Sequence, residues 1–303
     1  ISKENRKGVD GVVDKQDKFE ELLLRFQHLL TVEQLIQARD IYRLAHEKNV
    51  EAMIELAYLY KIMEEYSLVV FWLQKAGKAG NSEALYQLAN CYYEGLGVEE
   101  DVKMAFQLYK KAAKKGHPDA QNNLADMYLN GEGVPVNYKE ALKWFKEAAK
   151  QNVVEAMFTL GIMYEQGIGI NKDEDKAFHH YLKSAQGGYE DAQYRMGSIY
   201  LDGLLGVEKN ISKAVEWFEK AAESHHIDSI YNLGYLYENG IGVERNGKKA
   251  LYYYKRASLL GDYQAKLNIA HIYENGIDVE VDKKAASRWR ELARQQMENE
   301  YVQ

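Results

Sequence analysis

Small and apolar residues recur along the chain on a helical stripe that returns at long intervals. A small residue stands at Ala52, Ala84, Ala120, Ala156, Ala192, Ser229 and Ala265, at spacings of 32, 36, 36, 36, 37 and 36 residues. Four positions later comes Leu56, Leu88, Leu124, Leu160, Met196, Leu233 or Ile269, and eight positions later a tyrosine: Tyr60, Tyr92, Tyr128, Tyr164, Tyr200, Tyr237 and Tyr273. Positions i, i+4 and i+8 share one face of an α-helix, so each occurrence predicts an amphipathic helix, here helix A. Glycines follow, as Gly95 with Gly97, Gly131 with Gly133, Gly167 with Gly169, Gly203 with Gly206 and Gly240 with Gly242. They accept the positive φ that a helix C terminus and a tight turn require. A second set begins at Ala105, Ala141, Ala177, Ala214, Ala250 and Ala286, with aromatics such as Tyr109, Trp144, Phe145, Tyr181, Trp217, Phe218, Tyr254 and Trp289 three or four residues on. Ala112, Ala148, Ala221, Ala257 and Ala293 complete that face. This is helix B, whose alanines allow close approach to helix A while the rings fill the remaining space. One pair cannot bury both of its apolar faces, so seven consecutive antiparallel pairs are expected to stack into an all-α superhelical solenoid.

The residues A-x3-L-[AG]-x2-Y-x2-G-x-G-V followed by W-[FY]-x2-A-A, read here as AQNNLADMYLNGEGV from Ala120 and WFKEAA from Trp144, resemble the Sel1-like repeat family, relatives of the tetratricopeptide repeats. The glycine-rich turn and the 36-residue unit fit Sel1-like repeats better than the 34-residue tetratricopeptide unit. The resemblance covers about residues 49–297 and implies a right-handed superhelix. It departs from the pattern in the first unit, where no glycine stands between Met63 and Tyr66, and in the last, where Asp278 replaces the second glycine. Four segments are expected: a flexible leader at 1–14, capping helices at 15–48, the solenoid at 49–282 and a C-terminal capping helix at 283–303. The first cap carries Phe19, Leu22, Leu23, Phe26 and Leu30, then Ala38, Ile41, Tyr42 and Ala45. The C-terminal helix is expected to turn Trp289, Leu292 and Ala293 inward.

Composition narrows the function. With 46% hydrophobic and 28% charged residues the chain can bury a continuous core. Its net charge of −7, with no long basic stretch, gives no source for phosphate attraction and argues against nucleic acid as a partner. No uncharged stretch approaches the roughly 20 residues of a membrane-spanning helix. The first residue is Ile1, so a leader, pro-segment or whole domain is expected to have preceded it. A single cysteine, Cys91, excludes a disulfide framework and multi-cysteine metal sites, and it sits where other repeats carry Leu59, Met127, Met163, Ile199, Leu236 and Ile272. It reads as an apolar core residue. His179-His180 points in two directions on helix B, and His225-His226 falls in an inter-unit turn, so both pairs read as structural or solvated. The acidic runs Glu99-Glu100-Asp101 and Asp173-Glu174-Asp175 lack calcium-loop spacing and read as helix-B starts. No phosphate loop, nucleophile elbow or H-E-x-x-H helix occurs, so no catalytic residue, metal or cofactor is expected.

The informative positions are those the repeat leaves free. Two residues after the small residue stand Ile54, Tyr86, Asn122, Phe158, Tyr194, Tyr231 and Leu267; three after, Glu55, Gln87, Asn123, Thr159, Arg195, Asn232 and Asn268; six after, Tyr58, Asn90, Asp126, Ile162, Ser198, Tyr235 and His271. In tetratricopeptide-type superhelices helix A lines the concave groove. The resemblance therefore implies a partner-binding groove built from Tyr86, Asn90, Asn123, Asp126, Phe158, Ile162, Tyr194, Arg195, Tyr231, Asn232, Tyr235, Asn268 and His271. Rigid aromatics give contact area at low entropic cost, and carboxamides pair with an extended peptide backbone. The other reading of the tyrosines two positions on is packing between neighbouring units.

The resemblance thus implies a non-catalytic scaffold for a partner protein or peptide, of the kind that acts in signalling, quality control and envelope assembly or as a secreted bacterial factor engaging host proteins. Short loops such as NGEGV and ENGIGV point to the bacterial type, and so to a secreted or envelope location. The alternative is a regulatory solenoid of a larger enzyme or membrane-anchored adaptor. Cysteine-rich Sel1-like proteins linked to β-lactam hydrolysis carry a disulfide in each repeat, which one cysteine cannot supply. Lys110, Lys111, Lys114 and Lys115 read as a solvated helix face, with contact to anionic headgroups as the second reading.

Overall fold

A computed structural model of the protein describes residues 18–29 and 31–300. The expected leader and Leu30 lie outside the described residues. Helix α1 covers 18–26, a 3-10 turn follows at Gln27–Leu29, and α2 spans Val32–His46. Seven A/B pairs succeed them: α3 (Val50–Ile62) with α4 (Tyr66–Lys78), α5 (Ser82–Glu94) with α6 (Val102–Lys114), α7 (Pro118–Asn130) with α8 (Tyr138–Lys150), α9 (Val154–Gln166) with α10 (Glu174–Gln186), α11 (Glu190–Asp202) with α12 (Ile211–Glu223), α13 (Ile227–Asn239) with α14 (Gly247–Leu259), and α15 (Tyr263–Asn275) with α16 (Lys283–Glu300). No strand occurs among the described residues. The chain is an all-α repeat fold, and it divides at Glu147/Ala148 into two compact units.

Each boundary follows from local chemistry. Helix A ends on a left-handed residue: Gly95 has φ 69° and its N–H bonds the Cys91 carbonyl. Gly97, at φ 71°, closes the turn, where an added Cβ would lie 2.2 Å from the Tyr66 carbonyl oxygen. Only glycine satisfies both demands. Where glycine is missing, polar residues take the same backbone: Glu64 has φ 59° in the first pair, and Asp278 has φ 52° in the last, its carboxylate accepting the Gly247 N–H at 3.0 Å.

Every helix B after α4 begins on an Asx cap. Asp101, Asn137, Asp173, Asn210, Asn246 and Asp282 each accept a backbone N–H three residues on. Their own N–H groups donate to the carbonyls of Tyr92, Tyr128, Tyr164, Tyr200, Tyr237 and Tyr273 at 2.8–3.0 Å. The invariant tyrosine position thus ties the turn through its backbone as well as its ring. The acidic runs are explained accordingly: Asp101 and Asp173 cap a helix rather than merely facing its dipole.

In the first unit the core runs through Leu56, Leu88 and Leu124 with Ala105, Tyr109 and Phe145; Phe19, Leu22 and Leu23 close one end with Tyr42. Cys91 is 7% exposed and burial pushes its thiol up, consistent with a packing role. In the second unit Leu160 is buried, Met196 clusters with Tyr181, and Leu233 and Ile269 cluster with Phe218 and Tyr254. The C-terminal helix buries Ala286 and Ala293 and half-buries Trp289, but Leu292 is 38% exposed, against expectation. It lies about 100° around the helix from Ala293 and off the Ala286–Ala293 stripe.

Candidate partner-binding site

The residues two positions after the small residue are half-buried rings in four repeats, and their packing is systematic. Tyr86 on α5 meets Tyr109 of α6 (6.0 Å between centroids) and stacks on His117 (4.5 Å). Phe158 on α9 meets Tyr181 (5.5 Å) and Tyr189 (5.3 Å). Tyr194 on α11 meets Phe218 (5.8 Å) and stacks on His226 (4.7 Å). Tyr231 on α13 meets Tyr254 (5.5 Å). Each ring therefore joins its own helix B, and in three cases also the residue that precedes the next helix A. Ile54, at the same position, is buried outright.

His117 and His226 are that preceding residue for α7 and α13. The His117 Nδ1 accepts the Ala120 N–H, which leaves Nε2–H to donate to Glu83, 2.9 Å away. Glu83 also accepts from the Tyr58 hydroxyl (2.7 Å) and from Gln87 (2.8 Å). Burial alone would raise the Glu83 carboxyl, but the bonds from Tyr58, His117 and Gln87 hold it below the ordinary range. Burial, with Glu83 adding to it, pushes the Tyr58 phenol up to about 12. His226 repeats the arrangement, with Nδ1 accepting from Ser229 and Nε2 3.3 Å from Asp191. The histidine of the turn is a structural cap, as its position suggested.

In the first unit Tyr86, Asn90, Asn123 and Asp126 come together around a cavity of about 420 Å³. The sequence reading missed the rest of its lining: Tyr93, Glu94, Tyr109, Met127, Asn130 and Glu132. Tyr109 donates to Asn90 Oδ1 at 2.5 Å, and Tyr93 donates to Glu132 Oε2 at 2.8 Å. Asp126 Oδ2 accepts from Asn122 at 3.2 Å. No lysine, arginine or histidine lines the cavity. Burial, reinforced by the Glu132 charge, pushes the Asp126 carboxyl up to about 6.

In the second unit the same face carries carboxylates that have resident partners. Glu165 accepts from Tyr181 (2.6 Å) and from the Arg195 guanidinium, which also lies over the Tyr181 ring at 5.6 Å. Glu238 accepts from the buried Tyr254 hydroxyl (2.7 Å), with His271 Nε2 3.9 Å away. Asn268 donates to the Tyr231 hydroxyl at 3.0 Å. Ile162 is half-buried against the core, Asn232 is half-buried, and Tyr235 is exposed at 47%. The signal for the missed residues was available in helix B, where Tyr109, Tyr181 and Tyr254 carry a hydroxyl that Phe145 and Phe218 lack.

Among the described residues no group of three or more histidine, cysteine, aspartate or glutamate side chains is placed to hold a metal ion, and no helix is long and apolar enough to cross a membrane. Fold and face together define a helical repeat protein that presents shaped surface.

The Sel1 repeat model matches at 70–81, 82–117, 118–153, 154–189, 190–226, 227–262 and 264–296, and the chain belongs to the Sel1 repeat family. It is similar to the crystal structure of a Sel1 repeat protein from Oxalobacter formigenes, at 33% identity and a TM-score of 0.71 over 80% of this chain and 99% of that one. It is also similar to c5321, a protective antigen present in uropathogenic Escherichia coli strains, at 28% identity and a TM-score of 0.77 over 98% of this chain and 64% of that one. No curated protein matches. Sel1 repeat proteins generally mediate protein–protein interactions, and the family is typically a non-catalytic scaffold.

Proposed function

We propose that the chain is a non-catalytic scaffold that holds a segment of a partner protein against its helix-A face. The observation that carries this reading is the first-unit cavity. Four residues singled out only by their position in the repeat (Tyr86, Asn90, Asn123 and Asp126) line it together with two further tyrosines and two further carboxylates. The rings supply rigid contact area, the carboxamides pair with an extended backbone, and the carboxylates, with no cation in the lining, complement a basic side chain of the partner. The second-unit face supports the reading through Tyr235 and Asn232, whereas Tyr194 contributes mainly by holding its helix pair together.

Affinity capture from bacterial and host-cell lysates tests this, followed by titration of the captured partner. Two variants serve, Asn123→Ala with Asp126→Ala, and Asn232→Ala with Tyr235→Ala, each checked for unchanged helical signal. At least one is expected to weaken the partner by about tenfold or more, as loss of central contact residues does. Equal retention by both variants would place binding elsewhere on the molecule.

A second reading is favoured by the likeness to the protective antigen: the chain is a secreted or envelope-associated bacterial factor that engages host proteins. Antibodies against the chain are then expected to detect it in culture medium or on intact cells. Detection only after lysis would sink this reading and leave the scaffold role standing.

A further inference from the structure

The first unit carries a second cleft, of about 720 Å³, floored by α5 and walled by α4 and α6, which shares no lining residue with the first. Its origin is a missing ring. Three residues after the first alanine of helix B the other repeats place Trp144, His180, Trp217, Tyr253 and Trp289, but α6 has Leu108. In two repeats of the second unit that ring covers the tyrosine of helix A: His180 stacks on Tyr164 at 5.4 Å and Tyr253 on Tyr237 at 5.7 Å. Among the described residues no ring stacks on Tyr92, whose hydroxyl meets only the Gln74 carboxamide, at 3.5 Å. Met104 likewise stands where Glu140, Lys176, Lys213 and Lys249 stand, and it is 42% exposed. The opening so created has an apolar floor of Leu85, Leu88 and Tyr92, with Leu108 and the adaptable Met104 on one wall.

Lysines frame this apolar gap. Lys78, Lys111, Lys114 and Lys115 line it, no acidic residue does, and none of the four lies within 4 Å of a carboxylate among the described residues. Such a cluster stands out on a chain of net charge −7. Last-turn lysines favour helix C termini, which accounts for single charges. It does not account for four of them around an apolar cleft, where their mutual repulsion is relieved by a bound anion.

We propose that the α4–α6 cleft is a second docking surface, taking an acidic segment of a partner protein that seats one bulky apolar side chain beside Tyr92 and Leu108 and lays carboxylates on the four lysines. A planar layer of lipid headgroups would reach the ammonium groups but leave the recessed floor empty, so the geometry favours a peptide. This surface is independent of the helix-A face: it lies on other residues and serves ligands of the opposite charge.

Selection of a displayed library of random twelve-residue peptides on the purified chain tests it, followed by fluorescence anisotropy of the enriched peptides. Wild type is expected to enrich acidic peptides with a central aromatic or leucine. Leu108→Trp, checked for unchanged helical signal, restores the ring of the other repeats, and Lys111→Glu with Lys114→Glu reverses the charge. Each is expected to weaken those peptides by about tenfold or more, while Asn123→Ala with Asp126→Ala leaves them unchanged. The proposal is overturned if wild type enriches no acidic peptide, if Leu108→Trp selects the same peptides with the same affinity, or if the chain binds phosphatidylserine vesicles through these lysines and no peptide.

Discussion

Phe218→Ala is expected to destabilise the second unit by about 3–5 kcal/mol, the range for removing a fully buried aromatic ring from a packed core. Phe218 is 0% exposed, and its ring occupies the space that Gly197 leaves open. A Cβ on Gly197 would meet two carbons of that ring at 2.5 Å. Gly197→Ala therefore probes the same contact from the other side. In a mid-helix position alanine is ordinarily preferred to glycine by roughly 1 kcal/mol, whereas overpacking a core costs about 1–3 kcal/mol. The overlap here is with a ring that Tyr194 holds in place at 5.8 Å, so overpacking wins and the variant melts lower. Gly197→Ala combined with Phe218→Leu removes the clash along with the ring, and should cost less than the two single changes summed. Chemical denaturation followed by far-ultraviolet circular dichroism measures these three and Phe218→Leu alone. A raised midpoint for Gly197→Ala would show that helix propensity, not close approach of α11 and α12, governs this position. Gly161 and Gly234, whose Cβ atoms would strike Tyr181 and Tyr254 at 2.6 and 2.7 Å, predict the same sign.

The residues that made the repeat legible are the ones physics leaves little choice about. Alanine at the closest approach of two helices, glycine at a left-handed cap and tyrosine at the end of each stripe recur because a neighbouring backbone demands them, and helices A and B fall where they predict. The Asx caps of helix B were nearly as periodic, nine or ten residues after six of the seven tyrosines, and could have been read. The C-terminal helix was misread at Leu292 because an apolar residue beside the stripe looks inward by type while the 3.6-residue period turns it outward. The proposed binding face was legible as a set of positions, not as a site. The +2, +3 and +6 series lead to four residues of the first-unit cavity. Nothing in a single repeat says that Tyr109 reaches back 19 residues to Asn90, or that Glu165 waits 30 residues for Arg195. Those pairings depend on side-chain direction across helices, which spacing along the chain does not fix. The half-buried rings fit both readings, since they close the contact between helices and keep part of their surface exposed.

Asp126→Asn is expected to stabilise the first unit at pH 7.5 and to change little at pH 4. The Asp126 carboxyl is pushed up to about 6 by burial and then by Glu132, above the unfolded value of about 3.9. Between those limits the native state binds more protons than the unfolded chain, so stability falls as pH rises through the window and stays low above it. A shift of about two units corresponds to no more than about 3 kcal/mol. The cavity is open to solvent, so about 1–2 kcal/mol is the expected gain for the carboxamide at pH 7.5. The groups facing Asp126 are Glu94, Glu132 and the phenols of Tyr86, Tyr93 and Tyr109, none of them cationic at these pH values. A destabilising carboxylate retained on a face that elsewhere pairs Glu165 with Arg195 is what a site for a partner's basic side chain requires, because the incoming charge removes the penalty on binding. Partner affinity for the wild-type chain should accordingly weaken as pH falls from 7.5 to 5, and the Asp126→Asn chain should bind less tightly with a flatter pH profile. Thermal melts at both pH values and titration of the captured partner separate the two parts of this expectation. A variant that is more stable at pH 7.5 yet binds the partner unchanged would assign the carboxylate no part in recognition, whereas equal stability of both chains across the pH range would mean that Asp126 is already solvated in the free protein.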